Sequence, residues 1–337
     1  LTPDARARIA RGTTVGAIDT LYGMSLTIAT LNVNGIRAAV KERHDNNLGM
    51  LPWLAETDAD IILLQEVRAT DAQAEKALAP AIDDGWHWYN AENQLAKGRA
   101  GVGILSRKEL TNVQVGFGSE EFDACGRYLS ATVSAEDSGI GEAVTVASLY
   151  LPSGSALTEK QDEKYRFLDA FGDFLAATGN AGNVVIGGDW NICHREQDLK
   201  NHKGNRNKSG FLPQERNWMS SVFGNWPDEA PQPSLLNASE KELTAGAFTD
   251  GSEWTAPQAT ESPVWFDAVR RLHPEEDGPY SWWTYRGQAF DTNAGWRIDY
   301  QAVTAPMLER VTSARVDRPL AYDQRWTDHA PVVVEYR

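Results

Sequence analysis

The chain has 337 residues, 42% apolar and 23% charged, with 32 basic against 47 acidic side chains and a formal charge of −15. That balance suits a globular protein, holds no apolar run long enough to cross a bilayer, and argues against a passive nucleic-acid binder, whose affinity comes mostly from neutralising phosphates. Two cysteines, Cys125 and Cys193, with no Cys-x-x-Cys spacing, exclude a disulfide framework or a zinc cluster and lead us to expect a reducing, cytoplasmic setting.

Residues 1–23 read as an N-terminal arm or a non-native remnant, rich in Ala, Arg, Gly and Thr, with no signal-peptide core; residues 24–337, from Met24 onward, read as one domain. Leu26–Val33 is a β-rich run that ends in Asn34-Gly35, a strand followed by a turn. A helix is expected near Leu48–Glu56 and a second strand at Ile61–Gln65, which stops at Glu66. Further strands are predicted at Trp86–Asn90, Gly101–Ser106, Tyr128–Ser134, Ala143–Leu151, Asn183–Gly187, Ile298–Val303 and Pro331–Tyr336. The helical period is clearest over Glu159–Ala177, where Tyr165, Leu168, Phe171 and Leu175 recur at spacings of three and four. Pro213–Phe223 and Pro263–Leu272 also read as helices, each opened by its proline. Many strands with few intervening helices do not fit a βαβ repeat; an α/β sandwich of two packed sheets does.

Polar residues recur at the ends of these apolar strands: Asn32 and Asn34, Glu66, Asp189 and Asn191, Asp299, then Asp328 and His329. Strand ends of a layered fold share a rim, so these side chains are candidates for one cleft. Carboxylates and amides suit a hard divalent cation, and phosphoryl chemistry asks for a metal, a base and a phosphate clamp. Singly, each piece is ordinary: Gly188-Asp189-Trp190-Asn191 alone reads as a turn, and Trp282-Trp283 alone reads as core.

Their order resembles the exonuclease III family of the endonuclease/exonuclease/phosphatase superfamily. The resemblance rests on Asn32-Val33-Asn34-Gly35-Ile36-Arg37, Leu64-Gln65-Glu66, Gly187-Gly188-Asp189-Trp190-Asn191, Gly210-Phe211-Leu212-Pro213-Gln214-Glu215-Arg216, Gly295-Trp296-Arg297-Ile298-Asp299-Tyr300 and Asp328-His329, and spans residues 26–337. It implies a four-layered α/β sandwich, two packed mixed sheets flanked by helices as in DNase I. It also implies cleavage 5′ to abasic sites to leave a 3′-OH, with 3′-phosphodiesterase or phosphatase and 3′→5′ exonuclease activity. Glu66 matches the family's metal-ligand glutamate, with Asn34 and Asp328 contributing, for Mg2+ or a substituting Mn2+. Asp189 matches the residue acting on the attacking water, Asn32 and Asn191 the orienting amides, and Tyr150 the tyrosine facing the phosphate. His329 matches the phosphate-contacting histidine and Asp299 the carboxylate holding its ring. Two departures are Asn34, an Asp in some relatives, and Ser153, an Asn or Gln in others. Cys193 is expected to be a buried filler rather than a nucleophile.

For DNA, Lys200, Lys203, Arg206 and Lys208 form a basic run without an intervening acid, while Arg37, Arg68 and Arg286 are further candidates for backbone or groove contact. Under the resemblance Trp282, Trp296 and Ile298 line the slot for a flipped abasic sugar. The expected partner is duplex DNA with abasic sites or blocked 3′ ends, met by a monomer with no membrane association. A lipid or inositol-phosphate phosphodiesterase and a non-cutting damage binder are the alternatives.

Overall fold

A computed structural model describes residues 25–227, Leu235 and 237–337; the expected arm at 1–23 lies outside the described residues. Among the described residues, twelve strands form two six-stranded sheets. In chain order they are β1 (Leu26–Asn32), β2 (Ile61–Gln65), β3 (His87–Ala91), β4 (Val102–Ser106), β5 (Thr111–Val115), β6 (Tyr128–Val133), β7 (Val144–Tyr150), β8 (Val184–Asp189), β9 (Trp265–Asp267), β10 (Asp299–Thr304), β11 (Val311–Val316) and β12 (Val332–Tyr336). One sheet has the order β11-β12-β1-β2-β4-β3, the other β5-β6-β7-β8-β10-β9. Both are mixed: β1 and β2 are parallel, as are β7 and β8, and the remaining pairs are antiparallel.

Side chains alternate across each strand, which explains the layers. Leu26 and Ile28 of β1 and Ile61 and Leu63 of β2 point into a core shared with Leu129, Val146, Val185 and Val303 of the other sheet. Ala29, Leu31, Ile62 and Leu64 point the other way, onto Ile36, Leu54, Ala74 and Leu78 of the covering helices. On the far side Ala147, Leu149 and Ile186 meet Tyr165, Leu168 and Phe171 of helix Glu159–Thr178 and Trp218 of helix Pro213–Phe223. Helix, sheet, sheet, helix is the expected four-layered sandwich.

Buried amides cross the inter-sheet core. Gln65 Nε2 donates to Ser148 Oγ (3.0 Å), and Gln301 Nε2 donates to Ile28 O (2.7 Å) and Val332 O (3.1 Å). Gly187 permits close approach under the rim: a Cβ there would lie 2.5 Å from Leu63 Cδ1 and 3.1 Å from Thr30 Cβ.

The structure corrects one predicted element and adds several. Pro263–Leu272 is not one helix: Trp265–Asp267 pairs with β10, and the helix starts at Ala268, where the Asp267 carboxylate accepts the Arg270 N–H. Helix Asp71–Asp83 is additional; its buried face is Ala74, Leu78 and Ala81, and Pro80 interrupts its period, though the Thr70/Gln73 capping box announces it. The predicted helix at Leu48–Glu56 begins only at Leu51.

Candidate active site

Pairing geometry brings the expected strand ends together. Asn32 and Gln65 are register partners of parallel β1 and β2, so Glu66 emerges beside Asn34. Asp189 ends β8 and Asp299 opens antiparallel β10 as its cross-strand partner, while Tyr150 of β7 pairs with Asp189 on its other side. β12 runs antiparallel to β1, so the turn entering it delivers Asp328 and His329 to the same rim. Asn34, Glu66, Arg68, Tyr150, Asp189, Asn191, Trp282, Trp296, Ile298, Asp328 and His329 line one cavity of about 420 Å3. A larger cavity, about 690 Å3, lies under helix Glu159–Thr178, but its only ionisable side chains are Asp169 and Asp173, so the chemistry favours the smaller one.

Asn34, Glu66 and Asn191, the residues just beyond three strands, hold left-handed backbone at φ 47°, 51° and 50°. Asn adopts this region readily; Glu does so at a cost of about 1 kcal/mol or more, sustained when neighbours fix the backbone. Here Gly35 N–H donates to Glu66 O (2.8 Å) and Val67 N–H to Gly101 O (2.9 Å). The turn aims Glu66 into the cavity.

Asn32 is buried behind the rim and ties its two halves: Nδ2 donates to Glu66 Oε2 (3.0 Å) and Asp189 Oδ2 (2.9 Å), and Oδ1 accepts the Asn34 N–H (2.9 Å). Asp189 Oδ1 accepts the Asn191 N–H (2.9 Å). His329 Nδ1 is 2.9 Å from Asp299 Oδ2, and Nε2 is 3.8 Å from Asp189 Oδ2. Burial alone would depress the imidazolium; the Asp299 carboxylate, helped by Asp189 and Asp328, outweighs it and lifts the group to about 10. His329 is therefore a cation at neutral pH, with N–H groups directed at both aspartates. Burial raises the Asp189 carboxyl above the usual range, against the pull of that imidazolium. Burial, followed by the charges of Glu66 and Asp189, keeps the Tyr150 phenol protonated, a donor.

Glu66, Asn34 and Asp328 offer only oxygens, which fits a hard divalent ion. Glu66 Oε1 is held at 2.6 Å by the Arg68 guanidinium, a cation already balancing the charge a metal would balance. Asp328 accepts Asn34 Nδ2 on Oδ1 (2.9 Å) and Trp282 Nε1 on Oδ2 (3.0 Å). Burial would raise its carboxyl, but the His329 charge and these donors hold it below the usual range, so it is ionised and available as a ligand. Asp189, Asp299 and His329 also bring ligand atoms within 4.8 Å of one another. Asp299 occupies His329 Nδ1, which leaves the ring only Nε2 to offer an ion.

Trp282 and Trp296 meet edge to face at 5.9 Å and rest on Ile298, Leu199, Phe211 and Cys193, forming an apolar wall beside the charged one. Cys193 is fully buried, its Sγ 3.3 Å from Asp198 O, and burial pushes its thiol well up, as suits a filler. The candidate DNA contacts are dispersed. Arg37 is exposed and reaches Arg68 O (3.3 Å), and Arg286 is exposed. In the basic run, Lys203 and Lys208 are exposed, but acids outside the run reach the other two: Asp277 lies 3.6 Å from Lys200, and Glu196 pairs with Arg206. The sequence pattern also passed over Ser281, whose Oγ donates to Asp299 Oδ2 (2.5 Å), and Thr327, whose Oγ1 donates to Asn32 O (2.9 Å). Both hydroxyls adjoin quoted motifs, and position alone was their signal.

Residues 29–329 match the Endonuclease/Exonuclease/phosphatase family. The chain is similar to the exodeoxyribonuclease of Bacillus subtilis (strain 168), 31% identical over 307 residues that cover 91% of this chain and 98% of that protein. It is similar to the DNA repair nuclease APEX1 of Danio rerio, 30% identical over 314 residues, 92% of this chain and 82% of the relative. Among solved structures it is similar to the 3′ phosphatase NExo from Neisseria bound to a product DNA hairpin, with TM-score 0.68 and 26% identity, covering 93% of this chain and 99% of that one.

Proposed function

The chain belongs to the endonuclease/exonuclease/phosphatase family, and from that premise we propose that it is an exonuclease III-type DNA-repair nuclease. In this reading it hydrolyses the phosphodiester 5′ to an abasic site to leave a 3′-OH, clears blocked 3′ ends, and trims duplex DNA 3′→5′. The names of its relatives, an exodeoxyribonuclease, a DNA repair nuclease and a 3′ phosphatase, support this substrate class. The observation that carries it is the two-indole wall sharing one cavity with Asp189 and His329, the latter held from behind by buried Asp299. A narrow apolar slot beside a phosphate-handling site suits a sugar with no base, whose extrusion from the duplex also costs less.

Asp189, held on one oxygen by Asn32 and on the other by the Asn191 N–H, accepts the proton of the attacking water. The His329 imidazolium, oriented by Asp299, and the Tyr150 hydroxyl donate to phosphate oxygens as charge grows on them. A Mg2+ or Mn2+ ion at Glu66, Asn34 and Asp328 would supply further neutralisation of the phosphate.

The test is incision of a duplex with a single abasic site, in Mg2+ and in chelator, with inositol phosphates and phospholipids as parallel substrates. Incision of the abasic duplex in Mg2+ and its loss in chelator are expected; Glu66→Gln should raise the Mg2+ requirement and lower turnover. Full activity in chelator, or turnover of the lipid substrates alone, overturns the reading.

A further inference from the structure

Beneath the cavity floor, a lysine and a glutamate form an ion pair shut off from solvent. Lys164 Nζ is 2.7 Å from Glu215 Oε1, and both side chains are 0% exposed. Removing two charges from water is costly, and apolar replacements often serve stability as well or better, so stability is a weak reason for this pair. Its other contacts supply a better one. Lys164 Nζ donates to Asn191 O (3.0 Å), Ser153 O (3.3 Å) and Ser209 Oγ (3.5 Å). Glu215 Oε1 accepts Gln161 Nε2 (3.0 Å) and Ser209 Oγ (3.1 Å), and Oε2 accepts the N–H groups of Gly210 (2.7 Å) and Leu212 (3.1 Å). One ammonium and one carboxylate thus fasten Ser153, Asn191 and the Ser209–Gly210 turn, three separate stretches that all line the cavity. Little slack remains: a Cβ on Gly154, at φ +70°, would lie 2.4 Å from Ser209 Oγ and 2.8 Å from Lys164 Cδ.

We propose that Lys164 and Glu215 are positioning residues for phosphodiester cleavage, setting Asn191 and, through it, Asp189. This rests on the nuclease reading above. Asn191 is fixed at three points: its side chain donates to Leu151 O (2.8 Å), its N–H to Asp189 Oδ1 (2.9 Å), and its carbonyl accepts Lys164. Releasing the carbonyl frees a left-handed residue whose N–H orients the base. Neither Lys164 nor Glu215 is exposed to substrate, so the effect belongs to turnover and leaves DNA affinity alone.

The experiment uses the double variant Lys164→Met/Glu215→Gln in the full chain. The Glu215→Gln change keeps an oxygen for the Gly210 and Leu212 N–H groups, and once the Gln161 amide turns over, the new amide can donate to Gln161 Oε1, which has no hydrogen-bond partner in the parent. No uncompensated charge remains. We expect a melting temperature and KM near wild type, with kcat on the abasic duplex reduced about 100-fold, the size of loss that accompanies a displacement of about 1 Å. Wild-type kcat in a folded double variant overturns the proposal and leaves the pair as packing. Should the double variant not melt cooperatively, Glu215→Asp, which keeps the charge but shortens its reach, decides: reduced kcat at unchanged KM supports positioning, and unchanged kcat overturns it. Wild-type protein in the same assay separates the two readings, since failure of the wild type to nick removes the nuclease function itself.

Discussion

His329 meets carboxylates on both ring nitrogens, and that arrangement has a pH signature. Its folded-state value is raised from 6.5 to about 10, so the group contributes stability that is fully present below about pH 6.5 and lost as pH climbs through about 10. Asp189, also raised, has the same sign at lower pH: its contribution is present below the ordinary carboxylate value and lost as the buried carboxyl ionises. Urea melts across pH 7–10 should therefore show wild-type stability falling on the alkaline side and a flatter profile for His329→Gln; identical slopes would mean that the imidazolium is not formed. Trp296 is half-buried, so truncating it removes less than the roughly 3–5 kcal/mol typical of a core tryptophan. Trp296→Ala should stay folded and narrow the ratio of kcat/KM on abasic to undamaged duplex, because the slot becomes wide enough for a base. A folded variant with an unchanged ratio would move selectivity elsewhere, with Arg286 the next residue to examine. At this scale the sequence was readable where chemistry clusters: Glu66, Asp189 and His329 line one cavity, with Asn32 and Asp299 bonded to them from behind. Lys164 has no signal in the sequence, and Glu215 stands there only as a motif member without a role, because each sits in a helix beside other charges and only the fold turns these two inward.

Strands buried on both faces announce themselves as unbroken apolar runs, as at Ile61-Ile62-Leu63-Leu64, and the interior strands were legible for that reason. β5, β9 and β11, which the sequence did not disclose, are edge strands. β5 is exposed along its whole length, and β11 part-buries only Val311, Ala314 and Val316, an irregular spacing that breaks the alternation. β9 has three residues, and Pro263 before it imitates a helix start. Helix Asp71–Asp83 presents mostly alanines to the core, a face too weakly apolar to register. One tight demand at element scale is at Gly187, which faces Leu63 and Thr30 of the other sheet two residues before Asp189. Gly187→Ala should cost about 1–3 kcal/mol, the usual range for overpacking, and should lower kcat as β8 shifts. Urea unfolding alongside turnover would check it; unaltered stability would show that Leu63 can rotate away.

Over the whole molecule, the proposed function requires acidity and DNA binding to coexist, and the basic run at 200–208 is the proposed meeting point. Lys200 and Arg206 are shared with Asp277 and Glu196, so Lys203 and Lys208 are the cations freer to meet phosphates. Each cation that neutralises a phosphate contributes about 0.9 to the slope of log K against log salt, so neutralising Lys203 and Lys208 should reduce that slope by roughly 1.8 on any duplex. Replacing Lys200 and Arg206 as well should add less than as much again, measured by titrating salt in a binding assay with chelator present; four equal contributions would show that the acids let go on binding. Among the described residues no helix is long and apolar enough to cross a membrane. The pairing of β12 beside β1 has a bearing on synthesis. Thr327 bonds to Asn32 O, and Asp328 and His329 reach the rim only because β12 completes the sheet next to β1, the strand of the sandwich made earliest. Glu66 and Asp189 are therefore made well before His329, which stands just ahead of the last described strand. On the proposed function, a chain stopped short of His329 and β12 lacks the imidazolium that Asp299 orients and is expected not to cleave.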